Sequence, residues 1–182
     1  AITMGKWITK LLGTAILTHG FLIWIGPEIV MRKLDRDLEA AKMYVEECGE
    51  RWKNGVFYIN PSCLSNKSSA RKPNPDFLYY LIPYDLSNGD LYVSTPVPSD
   101  DRYWSIHAHN RNTDAFYRIS NTEIDKDKFE FLITRDKSKT ADIPIAYATS
   151  KKGVILNRLV MKDFSEYEML DTFRRYTFRE YR

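Results

Sequence analysis

Residues 102–119 read Arg102-Tyr103-Trp104-Ser105-Ile106-His107-Ala108-His109, then Asn110-Arg111-Asn112, then Thr113-Asp114-Ala115-Phe116-Tyr117-Arg118-Ile119. In the first segment Trp104, Ile106 and Ala108 alternate with Tyr103, Ser105, His107 and His109. A period of two puts the two sets on opposite faces of a strand, so one face meets a core. The asparagine-rich triplet is a turn signal, and the second segment is again rich in aromatic and β-branched residues.

Working outward, the same kind of run recurs at 77–86, 90–95, 129–134, 143–149 and 154–160. Turn-forming clusters separate the runs, among them Ser87-Asn88-Gly89, Pro96 to Asp101 and Lys151-Lys152-Gly153. Phe129, Phe131 and Ile133 alternate with Glu130 and Thr134. Closely spaced strands without amphipathic helices between them predict a mainly β fold, an antiparallel sandwich or barrel. Over Ser165–Arg182, the Ser165 and Glu168 pair fits a capping box, with Tyr167, Leu170, Phe173 and Phe178 as the buried stripe. Arg174, Arg175, Arg179 and Arg182 would then complement the dipole in the last turns.

Upstream, Leu11 to Pro27 carries no formal charge and is flanked by Lys6 and Lys10 before and Glu28, Arg32 and Lys33 after. Seventeen helical residues rise about 26 Å, close to the roughly 30 Å hydrocarbon core. A secretory signal, a buried core helix and a single transmembrane anchor all fit such a run. The anchor is the preferred reading, with Leu11, Leu12, Ile16, Leu17, Phe21, Leu22 and Trp24 facing lipid and Pro27 turning the chain out of the bilayer. Positive residues on both flanks leave orientation undecided by the positive-inside rule.

Residues 34–52 follow with Leu34, Leu38, Ala41, Val45, Cys48 and Trp52 on one helical stripe. This amphipathic helix is expected to lie on the protein's own sheet, with a partner helix as the alternative. The polar stretch 60–75 reads as a connector; it contains the Asn66-Lys67-Ser68 sequon and Cys63, which with Cys48 is taken as a free thiol. The expected division is an anchor over 1–31, an amphipathic helix over 32–54, a connector over 55–75 and a sandwich with its terminal helix over 76–182.

Composition limits the function classes. The 182 residues are 43% hydrophobic and 28% charged, with 14% aromatics, which is a folded chain. Two cysteines exclude a disulfide-dense scaffold and a four-cysteine zinc module. A net charge of +3 does not point to nucleic acid.

Several motifs in this body resemble the bacterial domain-of-unknown-function family 1254. They are Asn74-Pro75-Asp76-Phe77-Leu78-Tyr79, Tyr84-Asp85-Leu86-Ser87, Thr95-Pro96-Val97-Pro98, Tyr103-Trp104-Ser105 and Asn112-Thr113-Asp114-Ala115-Phe116. The stretch from Lys151 to Arg158 resembles the family's late basic-glycine-hydrophobic strand. The similarity runs over about residues 73–175 and is closest to short, membrane-anchored members. It implies a jelly-roll-like β-sandwich with a short terminal helix, and no established catalytic residues. Ala115 stands where the motif commonly has Asn, which weakens any polar pocket built on that position.

Three chemistries can be tested on the residues. His107 and His109, two apart on one strand face, could grip a metal with Asp114 as a further ligand, but a hydrogen-bonded pair on a solvent face is the preferred reading. Asp76, Asp85, Asp101 and Asp114 could supply paired carboxylates, although turn and strand-end roles account for each. Neither cysteine has a histidine arrangement for nucleophilic work, and no glycine-rich phosphate loop is present. The basic, aromatic C-terminal tail could meet anionic lipid or an acidic partner, or form a solvated face.

The expectation is a single-pass protein of a bacterial inner membrane or equivalent, with the sandwich on the periplasmic side. It would be a non-catalytic accessory or assembly subunit that needs no cofactor. It would meet other membrane subunits through its anchor, amphipathic helix and aromatic surface, and would not bind nucleic acid. The alternative is a ligand-binding or carbohydrate-active, hydrolytic domain using carboxylates or the histidine pair.

Overall fold

The computed structural model describes residues 2–41, 52–60 and 74–182. The chain is mainly β, as the alternation predicts. Helix α1 (Ile2–Ala41) is followed by ten strands: β1 (Trp52–Lys53), β2 (Val56–Tyr58), β3 (Phe77–Asp85), β4 (Leu91–Pro96), β5 (Trp104–Asn110), β6 (Ala115–Ser120), β7 (Lys128–Thr134), β8 (Ile145–Tyr147), β9 (Lys152–Val160) and β10 (Phe178–Tyr181). A short helix α2 (Tyr167–Arg174) precedes β10. The strands form a six-stranded sheet in the order β1-β2-β3-β9-β5-β6 and a four-stranded sheet in the order β10-β4-β7-β8. All pairs are antiparallel except β7 with β8, which is parallel.

The two sheets face each other across one core. Val56, Tyr58, Leu78, Tyr80, Ile82, Trp104, Ile106, Ala108, Ile155 and Leu159 come from one sheet, and Leu91, Val93, Phe129, Phe131 and Ile133 from the other. Within β5 the alternation holds, with Trp104, Ile106 and Ala108 fully buried inward. The opposite set divides: Ser105 is also buried, His107 and His109 are half-buried, and Tyr103 is 40% exposed. Ser105 is covered although it faces outward, because that face is shared with the side chains of neighbouring strands.

The terminal helix is shorter than expected. It stops at Arg174, and Phe178–Tyr181 pairs with β4 as an edge strand. Phe178 is thus not on a helical stripe, and Arg179 and Arg182 are not in a last turn. An open edge at β4 offered backbone groups that no helix could satisfy, and four residues of strand satisfy them. The expected Ser165 and Glu168 box also differs. Asp163 caps the 3-10 turn over Phe164–Glu166 by accepting from the Ser165 N–H at 2.7 Å. Leu170 is buried as expected, with Tyr167 and Phe173 packed against the core.

The connector expected from residue 55 onward instead contributes β2, and Trp52 opens β1 rather than closing a helix. Asn54 and Gly55 both have positive φ, 51° and 74°, so β1 and β2 form a two-residue hairpin of the type that Asn-Gly favours. Val45, Cys48, Cys63 and the sequon at Asn66 lie outside the described residues.

Helix α1 runs uninterrupted through Pro27, so the expected turn out of the bilayer at that residue does not occur. From Met4 to Trp24 every side chain is exposed, while Met31 and Leu38 are buried. These two, with Leu34, cover an apolar patch of Trp52, Phe57, Leu81, Val154 and Leu156 on the outer face of the six-stranded sheet. The expected contact of the amphipathic segment with its own sheet is therefore present at Leu34 and Leu38, and Met31, expected in the anchor, joins it.

Candidate functional site

The outer face of the six-stranded sheet has two halves. One is the apolar patch beneath α1. The other lies over β9, β5 and β6 and is polar. Cross-strand register aligns Tyr79, Arg158, Ser105 and Ser120 in one row and Leu81, Leu156, His107 and Arg118 in the next. His109 follows beside Val154, at a register shift between Ala108 and His109 that displaces the β5–β6 pairing. The result is a strip with two guanidinium groups and two imidazoles.

The histidine pair is well defined. The rings stack with centroids 6.2 Å apart, and His109 Nδ1 lies 3.0 Å from the Thr113 carbonyl oxygen. Burial, then the charges of Arg158, His109 and Arg118, hold His107 below the ordinary imidazole range. His107 is therefore neutral at neutral pH, able both to donate and to accept. Two guanidinium groups beside it repel a metal cation and suit carboxylate or phosphate oxygens. Asp114, the third expected ligand, is taken up locally: Asn112 Nδ2 donates to it at 2.5 Å, and its own N–H donates to Asn112 Oδ1 at 3.3 Å. Among the described residues no group of three His, Cys, Asp or Glu side chains is arranged to hold a metal. Ser105 Oγ and Arg158 Nε are buried in this strip without a hydrogen-bond partner among the described residues.

The other motif residues build turns and pairings. Asn74 accepts from the Asp76 N–H at 3.0 Å and opens β3. Pro75 occupies that turn, and the Asp76 carbonyl accepts from Met161 N–H at 2.8 Å. Asp85 accepts from Ser87 N–H at 3.0 Å and faces Lys152 Nζ at 3.1 Å; the backbone bond from Ser87 is the main reason its carboxyl sits below the usual range. Trp104 fills the core against Phe129, ring centroids 6.3 Å apart, and Phe116 meets Tyr84 edge-on at 6.4 Å. Tyr103 is edge-on to Phe77 at 5.9 Å, and its carbonyl accepts from Val160. Asp76, just before β3, and Asp85, at its end, are nine residues apart, about 30 Å at strand rise, so they form no carboxylate pair.

Three arginines hold positions that the sequence pattern did not single out. Arg174 is fully buried and donates to Asp171, to the Tyr79 carbonyl at 2.6 Å and to the Ile59 carbonyl at 3.1 Å. Its spacing of seven from Tyr167 and four from Leu170 places it on their helical stripe, the signal that could have marked it as covered. Tyr58 stands beside it, with the Arg174 and Arg175 guanidinium carbons 5.4 and 4.9 Å from its ring centroid. Arg102, 8% exposed, is held by Asp100 at 2.6 Å and by Glu166 at 3.1 Å, and borders a shallow depression with Ser99, Asp101 and Lys162. Arg111, in the turn after β5, crosses to α1. Its Nε and Nη2 reach the two Glu28 oxygens at 3.1 and 3.2 Å, and its Nη1 reaches Asp35 at 2.5 Å.

Comparison with known proteins agrees with this fold. The chain resembles the crystal structure of the VPA0106 protein from Vibrio parahaemolyticus, with a TM-score of 0.55 and 14% identity over 87% of this chain and 38% of that one. A putative uncharacterized protein from Burkholderia cenocepacia aligns over 59% of this chain and 31% of its own, with 15% identity and a TM-score of 0.44. The chain thus spans well under half of either protein. No curated protein matches it. Residues 56–179 match the family described as "Protein of unknown function (DUF1254)", which takes in both sheets from β2 to the start of β10. On that match the chain belongs to the DUF1254 family.

Proposed function

We propose that the chain is a single-pass, membrane-anchored β-sandwich whose role is to join other membrane proteins rather than to transform a substrate. The observation that carries this reading is the division of α1. One helix is long and apolar enough to cross a membrane, and its first half is wholly exposed. The second half is seated on the outer face of the sandwich through Met31, Leu34 and Leu38. A core helix would bury its apolar side chains, whereas Leu11, Ile16, Leu17 and Trp24 are each more than two-thirds exposed.

The cationic strip supplies the partner-facing surface in this reading. Arg118, Arg158 and the two histidines offer donors to the acidic groups of an adjoining subunit, and the aromatic rings of Tyr103 and Phe77 flank them. Of the aspartates that a hydrolytic mechanism would enlist, Asp85 caps a turn and faces Lys152, and Asp114 is paired with Asn112. The reading places the protein in a bacterial inner membrane or equivalent, with the sandwich in the periplasm.

The test is copurification. Membranes solubilised in a mild detergent should yield the chain in a stoichiometric assembly, and Arg118→Glu with Arg158→Glu should release it while leaving the chain folded. Recovery of the wild-type chain solely as a monomer would sink the subunit reading.

A further inference from the structure

We infer that the sandwich sits directly on the lipid surface, with the end formed by the β5–β6 turn and residues Ser150–Lys152 resting among phospholipid headgroups. This rests on the anchor reading above and adds to it a defined face and a defined partner.

Helix length is the first argument. The fully exposed stretch from Met4 to Trp24 has 21 residues, a rise of about 31 Å, against a hydrocarbon core of about 30 Å; Lys6 and Lys10 fall in its first two turns, where long side chains reach back to the interface. Burial then begins at once, for Ile25, Gly26, Pro27 and Glu28 are all half-covered. Ile29 and Val30 are exposed again, yet they lie between Glu28, which Arg111 grips, and the buried Met31, so no helix free of the sandwich remains to serve as a spacer between hydrocarbon and sandwich. Lifting the domain clear of the bilayer would place Leu22, Ile23 and Trp24 in water, each more than half exposed.

The clamp on Glu28 is the second argument. Glu28 lies four residues past Trp24, about 6 Å along the helix, which is the depth of a headgroup layer. Arg111 grips both of its oxygens and also Asp35, two turns further on, so the turn carrying Arg111 is fixed at that height and cannot swing along the helix. The same turn is tied to its neighbour, since the Arg111 N–H donates to Ser150 Oγ at 2.9 Å.

The chemistry of this end suits phosphate-bearing headgroups. Asn112, Thr113, Lys151 and Lys152 are exposed. Among the described residues Lys151 has no ion-pair partner; the nearby carboxylates of Glu28, Asp35 and Asp85 are each neutralised by a cation, and Asp114 in the turn itself is held by Asn112. Lysines at this depth are drawn to lipid phosphates. The opposite end, with Ser99 and Thr122, then faces away from the membrane.

Depth-dependent quenching tests this. The full chain with Cys48→Ser and Cys63→Ser would carry one fluorescent label, through Asn112→Cys or Lys151→Cys at the near end, or Ser99→Cys or Thr122→Cys at the far end. Each is reconstituted in vesicles of phosphatidylcholine and phosphatidylglycerol containing a headgroup nitroxide. Labels at 112 and 151 should be quenched several-fold more than those at 99 and 122. Flotation of the same samples separates the two readings. Protein that fails to float with the vesicles overturns both the anchor and this placement. Protein that floats with all four labels equally and weakly quenched, or with the far labels quenched more, overturns the placement alone.

Discussion

Gly153 shows how closely the sheet is drawn together at the register of β3, β9 and β5. A Cβ there would lie 2.1 Å from the His109 carbonyl oxygen and 2.3 Å from Tyr84 Oη. Tyr84 donates to that same carbonyl at 3.1 Å, reaching across the glycine. Gly153→Ala should therefore cost about 1–3 kcal/mol, the usual cost of overpacking, read as a lower urea midpoint in detergent solution. His107 makes a pH prediction. Its imidazole binds a proton less readily in the folded chain than in the unfolded one, so the unfolded state takes up protons first as pH falls below about 6.5. Stability attributable to this group is full above that pH and declines below it. His107→Gln should flatten the pH dependence of thermal unfolding in the window just under 6.5, and an unchanged profile would remove His107 as its source. Both histidines were visible in the sequence as a pair on one face. The arginines flanking His107 were not, because they lie 11 and 51 residues away and meet it only through strand pairing.

At the scale of elements, α2 is held by one buried charge. Burial alone would raise the Asp171 carboxyl, but Arg174 and Arg175 outweigh it and hold the group below the usual range. Stability from this ion pair is present above the ordinary carboxylate pKa and is lost as pH falls below about 3.9. Arg174→Ala leaves Asp171 and two carbonyls without their donor and should cost about 3–5 kcal/mol, measured as a loss in thermal midpoint. Arg174→Met together with Asp171→Leu should recover the part due to the unpaired Asp171 charge, while the Tyr79 and Ile59 carbonyls still lack this donor, so recovery stays incomplete. The hinge between α1 and the sandwich behaves differently. Arg111 and Glu28 are partly exposed, 22% and 36%, so removing the pair changes global stability little. Arg111→Ala should instead loosen the helix around Glu28, seen as greater mobility of a spin label at Val30 with the unfolding midpoint nearly unchanged. The strands themselves were largely legible. Runs at 77–86, 90–95 and 129–134 match β3, β4 and β7 to within a residue or so, because alternation over a half-buried sheet leaves a direct imprint. β10 was not legible. Thr177 to Arg182 carries a helix-compatible pattern, and only the unpaired edge of β4 made it a strand.

For the whole molecule, the apolar half of α1 should keep the chain in the membrane. Alkaline carbonate should leave it in the membrane pellet and detergent should release it. A variant with Ile16→Lys and Leu17→Lys should shift toward the soluble fraction, because each charge at mid-span costs about 2.5–3.5 kcal/mol to insert. Release of the wild-type chain by carbonate alone would falsify the anchor. The same division of α1 explains why a mean helix pattern was ambiguous: one helix combines an exposed apolar half, long enough to cross a membrane, with a half seated on its own sheet over residues 31–38.

The sequence by itself determined the local choices. Alternation set the strands and their inward faces, and an uncharged run of 17 residues set the apolar length of α1; the Asn54-Gly55 hairpin is also locally encoded, although the pattern around it reads as the end of a helix and the start of a connector. The family likeness was legible too, since its motifs are contiguous turns and strand ends. The tertiary structure decided what depends on residues far apart in the chain. It brought Arg174 under the carbonyls of Tyr79 and Ile59, Arg118 and Arg158 around His107, and Arg111 onto Glu28. Periodicity records which face a residue occupies. It carries no information on which distant side chain completes that face, because that depends on strand order and register, fixed only when the two sheets close on a common core.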